Sequence, residues 1–255
     1  MYKFFIRFFF LVLTAVIFTS VYISYFGIET DKFDNLIKEK ANEVNRYTVL
    51  EFRKTKIYFN PSELDLVVKL QNPKVLVKNN EFLLSKLHLF LSIKSFFNSD
   101  FILKKTEIRF IENDIKDLTK IINAFLPKII TKKINKIFSE GTLSGEFTIP
   151  FTLDGNLGSN YNFSGKILNA TLNLTNELVI KNLSTEIAQT KNKNNKDLIE
   201  IIIKKGFIYD IDLIDSLINL KLDNGVTNVE SSLKTVGKLK YKQLLHLPRG
   251  KYHDG

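Results

Sequence analysis

Between Arg7 and Glu29 the chain carries no charged side chain, so Phe8 to Ile28 form an unbroken run of 21 uncharged residues. At about 1.5 Å rise per residue such a run spans roughly 30 Å as a helix, the thickness of a bilayer's hydrocarbon core. Leu11, Val16 and Ile17 lie in its middle, and Tyr22, Tyr25 and Phe26 near its far end suit an interfacial aromatic belt. Lys3 and Arg7 precede it, which predicts a cytoplasmic N-terminus and the bulk of the chain on the other side. A cleaved signal peptide needs a shorter apolar region and a small-x-small exit. Here the exit is Ser20-Val21-Tyr22-Ile23-Ser24-Tyr25-Phe26, crowded with bulky side chains, so an uncleaved anchor over 1–28 is the expectation.

The remaining composition narrows the chemistry. There is no Cys, which removes disulfides and thiolate sites, and the three His (88, 246 and 253) are scattered. No phosphate-binding loop, dinucleotide fingerprint, zinc-protease motif or nucleophile elbow occurs. Gly141-Thr-Leu-Ser-Gly145 sits inside a strand pattern, so its glycines read as strand glycines. Asp210, Asp212 and Asp215 cluster without a His, and a solvated loop explains them better than a metal site. These absences predict a non-enzyme with no cofactor and no metal. The net charge of +10 comes from Lys spread through nearly every segment of a chain rich in Lys, Asn, Ile and Phe. Nucleic-acid binders concentrate such charge on one face, so no nucleic-acid partner is expected, while an anionic membrane surface remains compatible.

After the anchor, 29–48 reads as a connector helix, with Phe33, Leu36, Ile37, Ala41 and Val44 at helical spacing and Thr30 or Asp31 as cap. From there the period becomes two. Leu64, Leu66, Val68 and Leu70 alternate with Glu63, Asp65, Val67 and Lys69 before Asn72-Pro73. Leu83, Ser85, Leu87, Leu89, Leu91 and Ile93 form one face of a long strand, with His88 on the solvent side. Ile102–Phe110 reads as a strand after a reversal at Phe96–Ser99. A basic amphipathic helix is predicted over 114–138, kinked or split at Pro127, with Lys120, Lys128, Lys132, Lys133 and Lys136 opposite its apolar side. It covers a sheet or lies on anionic lipid. The sharpest strand follows: Leu143, Gly145, Phe147, Ile149, Phe151 and Leu153 point one way, and Thr142, Ser144, Glu146, Thr148, Pro150 and Thr152 the other. Pro150 marks an edge or a bulge and Asp154-Gly155 a turn. Between Tyr161 and Leu174 the phase slips, with Gly165 as the expected bulge. Strands are predicted over 178–187 and 198–204, a short polar-apolar mixture over 209–216 that reads as helical, a hairpin at Asn224-Gly225 and a tail over 248–255.

The expected architecture is mainly β with flanking helices: a transmembrane helix, then a curved antiparallel sheet over 49–247 whose apolar face forms a groove. Leu87, Leu89, Leu91, Leu143, Phe147, Ile149 and Phe151 are the candidate groove residues. Such a face serves phospholipid acyl chains if it stays open, at about 0.8 kcal/mol per buried CH₂. If it closes over, it is a core.

The anchor, the stretch Leu64-Asp-Leu-Val-Val-Lys-Leu-Gln-Asn-Pro-Lys-Val-Leu-Val77, the run Leu87-His-Leu-Phe-Leu-Ser-Ile-Lys-Ser-Phe-Phe97 and the segment Phe101–Phe110 resemble the start of AsmA-like proteins. The Gly145 strand and Tyr161-Asn-Phe-Ser-Gly165 are similar to that family's repeated β elements. The resemblance implies a single-pass protein of the bacterial inner membrane, mostly periplasmic. It implies phospholipid transport between inner and outer membranes, with other envelope proteins as further partners. The alternative is a structural or assembly factor for outer-membrane biogenesis with a closed β core. Family members are commonly much longer, whereas about ten strands at about 4.8 Å spacing extend a groove by roughly 50 Å.

Overall fold

The computed structural model describes residues 2–44, 48–77, 80–97, 102–122, 138–152, 154–156, 158, 161–173, 179–191, 197–209, 211–223 and 226–238. It shows a mainly β chain in a large antiparallel sheet that is not closed, with an N-terminal apolar helix and few others. In chain order come α1 (Tyr2–Phe26), β1 (Ile28–Glu29), α2 (Asp34–Val44), β2 (Thr48–Glu51), β3 (Lys54–Asn60), β4 (Asp65–Gln71), β5 (Lys74–Val77), β6 (Asn80–Ser92) and α3 (Lys94–Phe97). Then follow β7 (Leu103–Asp114), α4 (Ile115–Ile122), β8 (Phe138–Pro150), β9 (Asn162–Asn173), β10 (Val179–Lys191), β11 (Asp197–Ile208), β12 (Ile211–Asp223), β13 (Val226–Ser232) and β14 (Thr235–Gly237). The strand order is β1-β3-β4-β6-β7-β8-β9-β10-β11-β12-β13, with β14 also on β12 and β5 joining β2 to β6.

The chain divides into two compact units. The N-terminal unit holds 1–76, 83–109 and 147–161, and the C-terminal unit holds 77–82, 110–146 and 162–255. Strands β6, β7 and β8 each contribute to both.

In the N-terminal unit, α1 ends at Gly27, whose N–H donates to the Ile23 carbonyl at 3.0 Å and whose φ is +67°. That is a left-handed helix cap, which a glycine adopts without a Cβ penalty. The chain then pairs at once with β3, Ile28 opposite Ile57 and Glu29 opposite Lys56. The connector helix, expected over 29–48, runs from Asp34 to Val44. Thr30 Oγ1 accepts from the Lys32 N–H at 3.1 Å in a turn, and Asp34 begins α2. Phe33 and Ile37 are buried, α2 packs on β2, and the Thr55 hydroxyl donates to the Asp34 carboxylate. Thus α2 is fastened to the sheet.

Strand β4 departs from simple alternation. Asp65, Leu66, Val67 and Val68 are all buried, because neighbours cover both of its faces, and Leu64 is an exposed turn residue at φ +52°. The buried Asp65 carboxylate is paired with Lys104, which such a position requires.

In the C-terminal unit the slip expected at Gly165 lies instead at Asn169, and it is one of a row. Ala170 pairs with Leu183 but Ile167 with Thr185, which leaves an extra residue on β9. Strand β10 has its own extra residue at Asn182, because Leu172 pairs with Ile180. Asn169, Asn182 and Asp215 all have positive φ, as bulge residues do. On all four strands two exposed or half-exposed residues separate two buried ones: Ile167/Ala170, Ile180/Leu183, Ile203/Gly206 and Leu213/Ser216. Ordinary alternation buries every second residue, so a spacing of three records an inserted residue on each strand. Within the expected helical segment 209–216, residues 211–216 are therefore the start of β12. Of the flanking buried residues, Ile167, Ala170, Ile180, Leu183, Ile203 and Leu213 make this unit's core cluster with Ile115 of α4. Helix α4 is capped by Asp114, whose carboxylate accepts from the Lys116 N–H at 2.7 Å. The expected helix continues to 138 in sequence, but Pro127 and Lys128, Lys132, Lys133 and Lys136 lie outside the described residues, as do His246, His253, Asp210 and the 248–255 tail.

Candidate functional site

The anchor residues Lys3, Arg7, Leu11, Val16, Ile17 and Tyr22 all lie on α1, a 25-residue helix none of whose residues is buried. It is the one helix among the described residues long and apolar enough to cross a membrane. Its exposed apolar side chains are consistent with a single-pass membrane anchor.

The groove candidates separate by burial. Leu87, Leu89 and Leu91 on β6 are buried in the N-terminal unit, and Leu91 and the Val68 of β4 are fully enclosed. Register sets Leu91 opposite Leu66 and Leu89 opposite Val68, so these leucines are core. Phe147, Ile149 and Phe151, in the same unit, are only half-covered. The Phe147 ring lies parallel to that of Tyr161, centroids 6.4 Å apart. Pro150 ends β8. Its carbonyl accepts from the Gly158 N–H at 2.8 Å, while the Phe151 N–H donates to the Lys104 carbonyl at 2.8 Å. The turn expected at Asp154-Gly155 is held by Thr152, whose carbonyl accepts from the Gly155 N–H. Leu143 belongs to the C-terminal unit, where it is half-buried and packs with Leu172, Ile187, Ile208 and Ile218 against the core cluster.

Cross-strand neighbours of that cluster include a polar defect. The Thr185 hydroxyl, on a residue 4% exposed, has no hydrogen-bond partner among the described residues. Thr185 stands opposite Ile203 and Ile167. Replacing it with Val keeps the shape and removes an unsatisfied group, so Thr185→Val should raise stability by about 1 kcal/mol. A urea denaturation midpoint checks this. A lower midpoint would mean that the hydroxyl is satisfied by water or a ligand.

His88 is half-covered rather than fully on the solvent side. Burial, then the charges of Lys86 and Lys69, pull its pKa down to about 4, against the opposing pull of Glu107. Burial alone would raise the Glu107 carboxyl, but hydrogen bonds from Lys86 at 2.6 Å and ion pairing with Lys105 at 3.1 Å hold it below the usual range. His88 is thus neutral at pH 7 in the folded chain. Below its ordinary value of 6.5 the unfolded chain takes up a proton that the folded one refuses, so stability falls as pH drops from about 6.5 towards 4. With screening at a half-covered site the loss is on the order of 1 kcal/mol. Melting His88→Gln beside the parent across this range should show a flatter curve for the variant; parallel curves would refute it.

Among the described residues no group of three or more His, Cys, Asp or Glu could hold a metal ion. What sequence reasoning missed is the row of bulges. Its signal lies in apolar-polar-polar-apolar steps such as Ile180-Lys-Asn-Leu183, inside a stretch expected to be a plain strand over 178–187. Comparison with family models, curated proteins and solved structures gives no match.

Proposed function

We propose that this chain is a single-pass envelope protein, anchored by α1 in a bacterial inner membrane with its sheet in the periplasm. In this reading the sheet receives phospholipid acyl chains on apolar strand residues that its own packing leaves half-covered, and so assists transfer between inner and outer membranes. The observation that supports it is the end of β8: Phe147, Ile149 and the following Phe151 stay half-buried, although the equally apolar Leu87, Leu89 and Leu91 on β6 are buried. A covered acyl chain gains about 0.8 kcal/mol per CH₂, so a few contacts suffice for weak, reversible binding. The AsmA-like resemblance of the anchor and the early strands points the same way.

The burial of Leu87, Leu89 and Leu91 favours a second reading, a structural or assembly factor whose β core is closed. One measurement divides the two. The full chain is purified in mild detergent and its bound phospholipid is extracted and counted. Lipid transport expects bound phospholipid, lost in Phe147→Asp and Ile149→Asp while their melting stays within a few degrees of the parent. A parent chain that never carries phospholipid supports the structural factor. Protease added to spheroplasts should digest the domain; full protection would overturn the periplasmic placement.

A further inference from the structure

We propose that the cationic face of the N-terminal unit, built from Lys54, Lys56, Lys69, Lys86, Lys105 and Arg109, binds the anionic phospholipid headgroups of the membrane that α1 enters. The proposal rests on the reading of α1 as a membrane anchor and adds a headgroup site beside it.

Three observations carry it. First, register on β3, β4 and β6, and side-chain pairing between β6 and β7, gather these residues on the side of the sheet away from the leucine core. Lys56 stands opposite Lys69, and Lys69 opposite His88. Tyr58 and Phe90 belong to the same face by alternation. Lys105 reaches over it, its Nζ 3.9 Å from the Phe90 ring centroid. Lys86 and Lys105 share Glu107, and Lys54 pairs with Glu29 at 2.6 Å. Second, the neighbouring imidazole senses these cations: Lys86, Lys69 and Arg109 all act to lower the His88 pKa, after burial.

Third, the anchor leaves the membrane at this face. Gly27, the cap of α1, lies so close to Tyr58 that a Cβ there would meet the ring at 3.0 Å. The Lys69 ammonium lies 4.0 Å from the centroid of that ring and the Lys56 ammonium 5.6 Å. Both charges therefore sit on the order of 10 Å from the end of α1, and the headgroup layer is about 5–7 Å thick on each side of the hydrocarbon. A polyanion in solution would meet the same lysines. Only a membrane is held against them by the chain itself, and each lysine near an anionic surface strengthens attachment about fivefold.

The absence of Cys allows one unique label. Gln71→Cys places a fluorophore on this face, two residues beyond Lys69. The full chain is reconstituted in phosphatidylcholine vesicles with and without phosphatidylglycerol, and a headgroup-linked nitroxide lipid serves as quencher. Quenching should be several-fold stronger with phosphatidylglycerol. It should fall to the phosphatidylcholine level in the Lys56→Gln, Lys69→Gln, Lys86→Gln, Lys105→Gln variant, and in molar salt, where the Debye length is about 3 Å. Equal quenching in both vesicles overturns the proposal. If the quadruple variant loses its melting transition, the Lys56→Gln, Lys69→Gln pair and the salt series on the parent decide in the same way. Alkaline carbonate extraction separates the two layers of inference. A chain that washes off the vesicles refutes the anchor, and a chain that stays while quenching ignores lipid charge refutes the headgroup site alone. A response to single-stranded oligonucleotide in detergent, without one to phosphatidylglycerol, assigns the face to a soluble polyanion and overturns the membrane partner.

Discussion

Leu89→Asp should abolish the melting transition of the N-terminal unit. Leu89 is 8% exposed and pairs with Val68, which is 0% exposed, between the buried Leu87 and Leu91. A carboxylate there cannot reach water, and the basic side chains of β6 point to the other face, Lys86 and His88 alternating with these leucines. The new group must either remain charged in an apolar layer or take up a proton and still leave its hydrogen bonds unmade. Added to the lost leucine packing, the cost is about 4 kcal/mol or more, against a typical total of 5–15 kcal/mol. Circular dichroism melting and limited proteolysis read the outcome. Phe147→Asp should cost no more than about 2 kcal/mol, because water already reaches that side chain. Equal collapse of both variants would show β8 to be enclosed as β6 is, and would remove the support for a lipid-accessible surface.

Gly141→Ala should destabilise the C-terminal unit by about 3 kcal/mol or more. Gly141 has φ +118°, a backbone state that L-residues rarely adopt. Its missing Cβ would lie 2.6 Å from Ala170 Cα and 2.8 Å from Ala170 Cβ. Backbone cannot yield as a flexible side chain can, so strain in β8 adds to a clash with β9. The site matters because Ala170 flanks the Asn169 bulge, where the row of inserted residues meets β8. The expected result is a lower urea midpoint together with faster hydrogen exchange in β8 and β9. An unchanged midpoint would mean that Gly141 has room that the register does not show.

The places where sequence and structure part follow from those bulges. In 209–216 the apolar residues Ile211, Leu213 and Ile214 precede Leu217 and Ile218, a spacing that matches one face of a helix. Residues 211–216 nevertheless belong to strand β12. The inserted residue at Asp215 shifts the phase by one, and a shifted two-residue period imitates a helical one over two turns. The same cause explains Gly165, which looked like the bulge because glycine often marks one. Asn169 and Asn182 hold the positive φ instead, a role for which asparagine's short polar side chain is suited.

Local chemistry determined a good deal by itself. An uncharged run as long as a bilayer is thick permits few structures other than an exposed apolar helix, and alternation placed β4, β6 and β8 close to their observed positions. The cationic residues of β3, β4, β6 and β7 were legible singly as scattered charge. Their gathering on one face needed the register and the side-chain pairing, which join segments far apart in sequence. Tertiary structure also decided which apolar faces are enclosed. Leu89 and Ile149 have the same local pattern, yet one is buried and the other half-exposed. Alternation fixes only that a side chain points to one side of its sheet. Whether that side is covered depends on which strands and helices pack over it, and those contacts come from distant parts of the chain.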